Sequence, residues 1–242
     1  MNKPRLIQIV KRSGLANTRE DATNLIKTGK VKVDGEIVTD IYYQTRPNKV
    51  TINGKPVKIV EEMVYFIMNK PVGYSCQKTD EPNVLQLIEM KDPAIKNMLF
   101  TIGRLDVDTS GLLIITNDGS ILHKILKPEQ EVWKTYEATV SKIIYPEKME
   151  KIEKGITIDV DGQPYKCLPA QIEKKGQLEY ILKIKEGKKR QVRKMLEAAG
   201  TSCVKLHRYA IGGLELPKGM KQGQYMKVTK EDLKKIFWTK EK

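Results

Sequence analysis

The sequence predicts an α+β protein: a small amino-terminal helix-and-hairpin module, then a domain built on a mixed, largely antiparallel sheet with short helices. Three observations point there. Apolar residues at helical spacing come only in short stretches. Several longer runs alternate apolar with polar residues, as half-buried strands do. Gly, Asn and Asp interrupt the runs closely enough for hairpin-like links.

The elements follow in order. Leu6, Ile9 and Val10 have helical spacing, and Ser13-Gly14 supplies the turn. A second helix is expected from Thr18, where Thr18 and Asp21 form a capping pattern, with Ala22, Leu25 and Ile26 inward and Gly29 past its end. Asp34-Gly35 between Val31-Lys32-Val33 and Glu36-Ile37-Val38 is a two-residue hairpin signal, and Asn53-Gly54 after Val50-Thr51-Ile52 is another. A boundary is expected near residue 60, giving a module over 1–60 and a larger domain over 61–242, with a linker near 58–63. In the second part a strand begins at Met63 and ends at Asn69-Lys70-Pro71-Val72-Gly73.

Residues 103–113 read GRLDVDTSGLL, between the apolar segment Leu99 to Ile102 and the apolar run Leu112 to Ile115. Two flanking strands would hold this loop rigidly while leaving a carboxylate accessible. Arg104 and Asp106 lie two apart, so in extended chain they point the same way, and Asp108 and Ser110 continue the alternation. A serine hydrolase is excluded, since Ser110 lacks the preceding glycine of a nucleophile elbow. In the strand Val132 to Val140, alternation sets Tyr136 on the buried face with Val132, Ala138 and Val140. That face suits a core tyrosine or a pocket-lining phenol equally.

A third element follows the alternating strand Leu178, Tyr180, Leu182, Ile184. Val192, Met195, Leu196 and Ala199 mark a short helix whose start is crowded by Lys188, Lys189, Arg190, Arg193 and Lys194. Cations at the positive end of a helix dipole cost stability, so five of them there suggest an anion site.

Composition narrows the function further. Of the 242 residues, 44 are Lys or Arg and 30 Asp or Glu, a net charge of +14 that favours a polyanionic partner. The longest apolar run, Met63 to Met68, is far too short to span a bilayer. Cys76, Cys167 and Cys203 are isolated, and there are only two histidines, so neither a zinc site nor a disulfide framework is expected. The chain reads as cytoplasmic, without metal or cofactor and without a membrane partner.

Residues 4–60, helix–helix–hairpin in order, resemble the S4 RNA-binding domain. They depart from its usual pattern at Asn17-Thr18-Arg19, where the family commonly has Ser-Arg-Arg, and at Asp34-Gly35 in place of Asn-Gly. The resemblance implies RNA contacts, with Arg5, Lys11, Arg12, Arg19, Lys27, Lys30 and Lys32 as candidates. Behind this module, GRLDVDTSGLL, Asn69-Lys70-Pro71-Val72-Gly73, Lys134-Thr135-Tyr136 and Gly187 to Leu196 together resemble the bacterial ribosomal RNA pseudouridine synthases of the small-subunit synthase A type.

That resemblance covers nearly the whole chain. It implies Asp106 as the essential carboxylate, with Tyr136 and Arg193 catalytic and Arg104 holding the flipped-out nucleotide. Lys188, Lys189, Arg190 and Lys194 would grip RNA. Arg190 and Lys188 depart from the family's G-R-x-H-Q-V-R, which leaves the substrate open. A carboxylate charged inside a pocket needs an adjacent cation, and Arg193 is the expected partner. The implied partner is ribosomal RNA or a subunit assembly intermediate, met by a monomer. A non-catalytic RNA-binding or assembly protein and a transfer-RNA enzyme are the alternatives.

Overall fold

Two helices and two hairpins form the start of the chain in the computed structural model, which describes residues 3–16, 18–126 and 131–237; Asn17 lies outside the described residues. Helix α1 (Leu6–Arg12) buries Leu6, Ile9 and Val10, the spacing the sequence predicts. Helix α2 (Arg19–Lys27) is capped reciprocally: Asp21 N donates to Thr18 Oγ1 at 3.0 Å, and Thr18 N donates to Asp21 Oδ2 at 2.9 Å. Strands β1 (Val31–Val33), β2 (Glu36–Ile37), β3 (Val50–Ile52) and β4 (Lys55–Pro56) make a sheet of order β2-β1-β3-β4. Asp34 and Gly35 both take positive φ (50° and 90°), the backbone a tight hairpin needs to match strand twist. Leu6, Ile9, Ile26, Val31 and Ile52 meet in the core of this unit.

The chain divides into two compact units, residues 1–64 with 88–100 and residues 65–87 with 101–242. Helix α3 (Pro93–Met98) therefore groups with the first unit, where its Asn97 Nδ2 donates to the Gly14 carbonyl at 3.2 Å.

The second unit is built on a nine-stranded sheet. In chain order its elements are β5 (Tyr65–Lys70), β6 (Phe100–Ile102), β7 (Ser110–Thr116), α4 (Gly119–Leu126), β8 (Lys134–Val140), α5 (Pro146–Glu153), the separate hairpin β9 (Thr157–Val160) and β10 (Gln163–Lys166), β11 (Gln171–Lys174), β12 (Glu179–Ile184), α6 (Gln191–Ala198), β13 (Cys203–Ile211), β14 (Leu214–Glu215), β15 (Tyr225–Val228) and α7 (Lys230–Lys234). The main path runs β11-β12-β8-β13-β7-β5-β15. Every residue of β5 and β7 is buried, as expected for strands covered on both faces.

Strand β13 was not anticipated, yet it holds the centre of the sheet. It pairs antiparallel with β8 and parallel with β7. One register row crosses the sheet as Leu182, Tyr136, Arg208, Gly111 and Lys70. Gly111 is required in that row: its φ is +116°, and a Cβ there would lie 2.1 Å from the Arg208 carbonyl oxygen. By this row Tyr136 stands one strand removed from the start of β7, the strand that the GRLDVDTSGLL loop feeds, with Arg208 of β13 between them.

Candidate active site

The loop between β6 and β7, residues 103–109, is held from several sides. Buried Lys70 donates from Nζ to the carbonyls of Pro71 and Thr109, each at 2.9 Å, and reaches that of Val107 at 3.4 Å. Gly73 N donates to Val107 O at 2.8 Å. Arg193 Nη2 donates to the Asp108 carbonyl at 2.7 Å and Nη1 to Cys203 O at 2.9 Å. Burial lowers the pKa of Lys70, against the pull of Cys76, Asp106 and Asp108. A loop pinned through its main chain this way presents its side chains without freedom to drift.

The loop forms one wall of a cleft of about 1260 Å³, lined by residues of the second unit only. Arg104, Asp106 and Tyr136 all line it, as do Lys188, Lys189 and Arg190. Arg104 is exposed, Asp106 half-buried and Tyr136 buried on the inward face of β8. Four carboxylates line the cleft, and three are engaged. Asp80 accepts from Ser75 Oγ and Gln77 Nε2 at 2.7 and 3.0 Å. Glu186 accepts from Tyr165 Oη at 2.6 Å, and from Leu168 N and Gln191 Nε2. Asp108 takes both arms of Arg190, at 3.2 and 2.9 Å, and lies 3.3 Å from Arg193 Nε. Asp106 alone has no side-chain hydrogen bond or ion pair among the described residues.

Arg193 is therefore not the partner of Asp106. It is buried behind the cleft wall and pairs with Asp108, because its guanidinium is already spanned between the loop main chain and Cys203. Burial disfavours the charge on Asp108, but Arg190 and Arg193 outweigh this and hold its carboxyl below the usual range.

The basic start of α6 also differs from expectation. Arg190 occupies the N-cap in the left-handed region (φ 55°). Of the five cations, four already face carboxylates: Arg190 and Arg193 share Asp108, Lys189 lies 3.2 Å from Asp161, and Lys194 lies 3.9 Å from Asp159 with its Nζ donating to Asp159 O. Lys194 thus faces the β9–β10 hairpin and does not line the cleft. Lys188 has no carboxylate partner among the described residues; its Nζ sits 4.6 Å from the centre of the Tyr165 ring. The anion site expected here is supplied in large part by the protein's own acids.

Three cleft cations carry no role in the sequence reading: Lys134, Arg208 and Lys185, the last of which pairs with Glu131. Lys134, one turn of the strand from Tyr136 on the same face, reaches the carbonyls of Val132, Lys185 and Glu186 only at 3.4 to 3.5 Å. Burial, and then the charge of Arg208, lower its pKa to about 8 against the pull of Glu186. Arg208 is buried and donates from Nε and Nη2 to Leu112 O at 3.0 and 2.8 Å. Only its place in the central strand brings it to the cleft, so no local motif announces it.

In the first unit Arg5, Lys11, Arg12, Arg19, Lys27, Lys30 and Lys32 are all exposed, and none has an ion-pair partner among the described residues. No helix among the described residues is long and apolar enough to cross a membrane, and no group of three or more His, Cys, Asp or Glu could hold a metal ion.

An α+β sheet with an accessible carboxylate set among cations holds the groups that acid–base or nucleophilic chemistry on an anionic substrate would use. The comparison with known proteins sharpens that class: the chain belongs to the RNA pseudouridylate synthase family, whose profile matches residues 64–198, while residues 4–49 match the S4 domain. It is 38% identical to ribosomal large subunit pseudouridine synthase B of Bacillus subtilis, over 96% of this chain and 95% of that one. It is 33% identical to ribosomal small subunit pseudouridine synthase A of Escherichia coli, over 92% and 95%. A solved pseudouridylate synthase, 32% identical, superposes with a TM-score of 0.70 over 97% of this chain and all of the other.

Proposed function

We propose that the chain converts a uridine of ribosomal RNA to pseudouridine, with Asp106 as its catalytic carboxylate. Ribosomal RNA is supported by the names of the relatives, which specify ribosomal subunits, and by the S4 match. The observation that carries the role of Asp106 is its lack of a partner: among the carboxylates lining the cleft, it is the one left available to a substrate.

The reaction breaks the N1–C1′ bond, turns the uracil and joins C5 to C1′, with no redox change. The carboxylate begins it either as nucleophile toward the ribose or as the base that starts glycal formation. Once C5 is bonded to C1′ it still carries a proton, and Tyr136 is the group offered to take or relay it. The target uridine is flipped from its stack into the cleft, at a cost of a few kcal/mol, less in a loop than in a duplex. Arg104 and Lys188 hold the extruded nucleotide and its phosphates, while Lys189 and Arg190 line the cleft beside them, still paired with Asp161 and Asp108. Arg193 acts through Asp108 as a positioning residue. Residues 1–60 are the RNA-gripping module and 61–242 the catalytic domain of a cytoplasmic monomer.

Tritium release from rRNA transcripts labelled at uracil C5, small and large subunit separately, tests this. Wild-type protein should release tritium from one of them, and Asp106→Asn from neither while keeping its RNA affinity. Turnover by Asp106→Asn rejects the carboxylate role. Release only from partly assembled subunits identifies an assembly intermediate as substrate.

A further inference from the structure

Two tyrosines of the first unit, Tyr42 and Tyr43, project from its surface with 51% and 44% of their area exposed. The backbone that carries them is fixed. Tyr42 N donates to Asp40 Oδ1 at 2.8 Å and Tyr43 N to Asp40 O at 3.2 Å. The segment is then laid against the start of α1: Leu6 N donates to Tyr43 O at 2.7 Å, Ile7 N to Ile41 O at 3.1 Å, and Thr45 N to Pro4 O at 3.2 Å. Arg5, exposed and without an ion-pair partner among the described residues, holds its guanidinium 5.3 Å from the centre of the Tyr42 ring.

An aromatic ring held at a solvent surface leaves apolar area uncovered, and half of the Tyr42 surface stays open although Arg5 lies over its ring. A neighbouring arginine adds a second flat, cationic surface that stacks on π systems. Rings on a rigid backbone beside cations that attract phosphate are the parts of a single-strand binding platform, since every nucleobase offers a π face once it is unpaired. A duplex has no free base face to offer.

We propose that Tyr42, backed by Arg5, stacks an unpaired nucleobase of the substrate RNA. The proposal rests on the reading of the chain as an RNA enzyme and adds a contact that responds to strandedness as well as charge. Stacking releases no counterions, so it contributes to affinity without contributing to salt dependence.

Binding of the full chain to an unstructured RNA oligonucleotide and to a blunt duplex of the same length, each across a salt series, tests it. Tyr42→Ala should weaken single-strand binding by about fivefold or more at every salt concentration. It should leave both the salt slope and the duplex affinity unchanged. Tyr42→Phe should restore binding, which separates loss of the ring from loss of fold, and Arg5→Gln should reduce the slope as well as the affinity. Equal single-strand affinity for Tyr42→Ala and wild type overturns the stacking site while leaving the RNA reading intact. A wild-type chain that binds neither RNA overturns both.

Discussion

Lys134 keeps its charge where burial makes that charge costly. Its folded pKa, about 8, lies below that of an unfolded lysine. The protonated form therefore costs stability below pH 8, and this cost fades as pH rises toward the ordinary lysine range. Its value to function runs the other way, since an RNA in the cleft gains a cation only while Lys134 is protonated. RNA affinity and turnover should then fall as pH rises through about 8, and Lys134→Arg should remove that fall by keeping the charge. An alkaline decline unchanged in Lys134→Arg assigns it to another group. At this scale the sequence was informative where side chains share one short segment. Arg104 and Asp106 reach the same cleft from one loop. Arg208 was not legible, because what brings it there is the pairing of β13 with strands about 70 and 100 residues earlier. The pairing of Arg193 failed for a related reason: alternation in the loop brings Asp108 as well as Asp106 near a cation, and only the fold chooses between them.

The loop of residues 103–109 works as an element because its neighbours hold its main chain. Asp108 adds the side-chain link, tying the loop to α6 through Arg190 and Arg193. With 46% of its side chain exposed, its ion pairs are screened by solvent, so Asp108→Asn should cost only about 1 kcal/mol of stability. The effect on catalysis should be larger, because a carboxylate displaced by about an ångström loses on the order of 100-fold in rate. Expected is a low kcat with KM nearly unchanged and a melting temperature close to wild type; a kcat equal to wild type rejects the positioning role. The hairpins of the first unit were readable because Asp34-Gly35 and Asn53-Gly54 declare their own turns, and α2 because Thr18 and Asp21 cap it. The parallel pairing of β7 with β13 has no turn to declare it, and its one local trace is Gly111, whose need appears only when the Arg208 backbone is laid against it.

Across the whole molecule the net charge of +14 is distributed in two different ways. In the first unit, the seven candidate RNA-binding cations stand exposed without carboxylate partners among the described residues. Around the start of α6, cations instead face Asp108, Asp159 and Asp161. A cation already neutralised has fewer counterions to release when a phosphate arrives, so the two regions should contribute differently to the salt dependence of RNA binding. Replacing Lys30 and Lys32 together with glutamine should flatten the plot of log affinity against log salt by about 1.4, if both touch single-stranded phosphates. Lys189→Gln should move that slope much less, because Lys189 is already paired with Asp161 and has few counterions to release. It should instead lower affinity, because Asp161 is left uncompensated near the site. Pairing Lys189→Gln with Asp161→Asn isolates the two effects: affinity should recover toward wild type if the ion pair persists with RNA bound. A slope that falls as far for Lys189→Gln as for a cation of the first unit would mean that Asp161 gives Lys189 up to the RNA, and that the hairpin acids are displaced on binding.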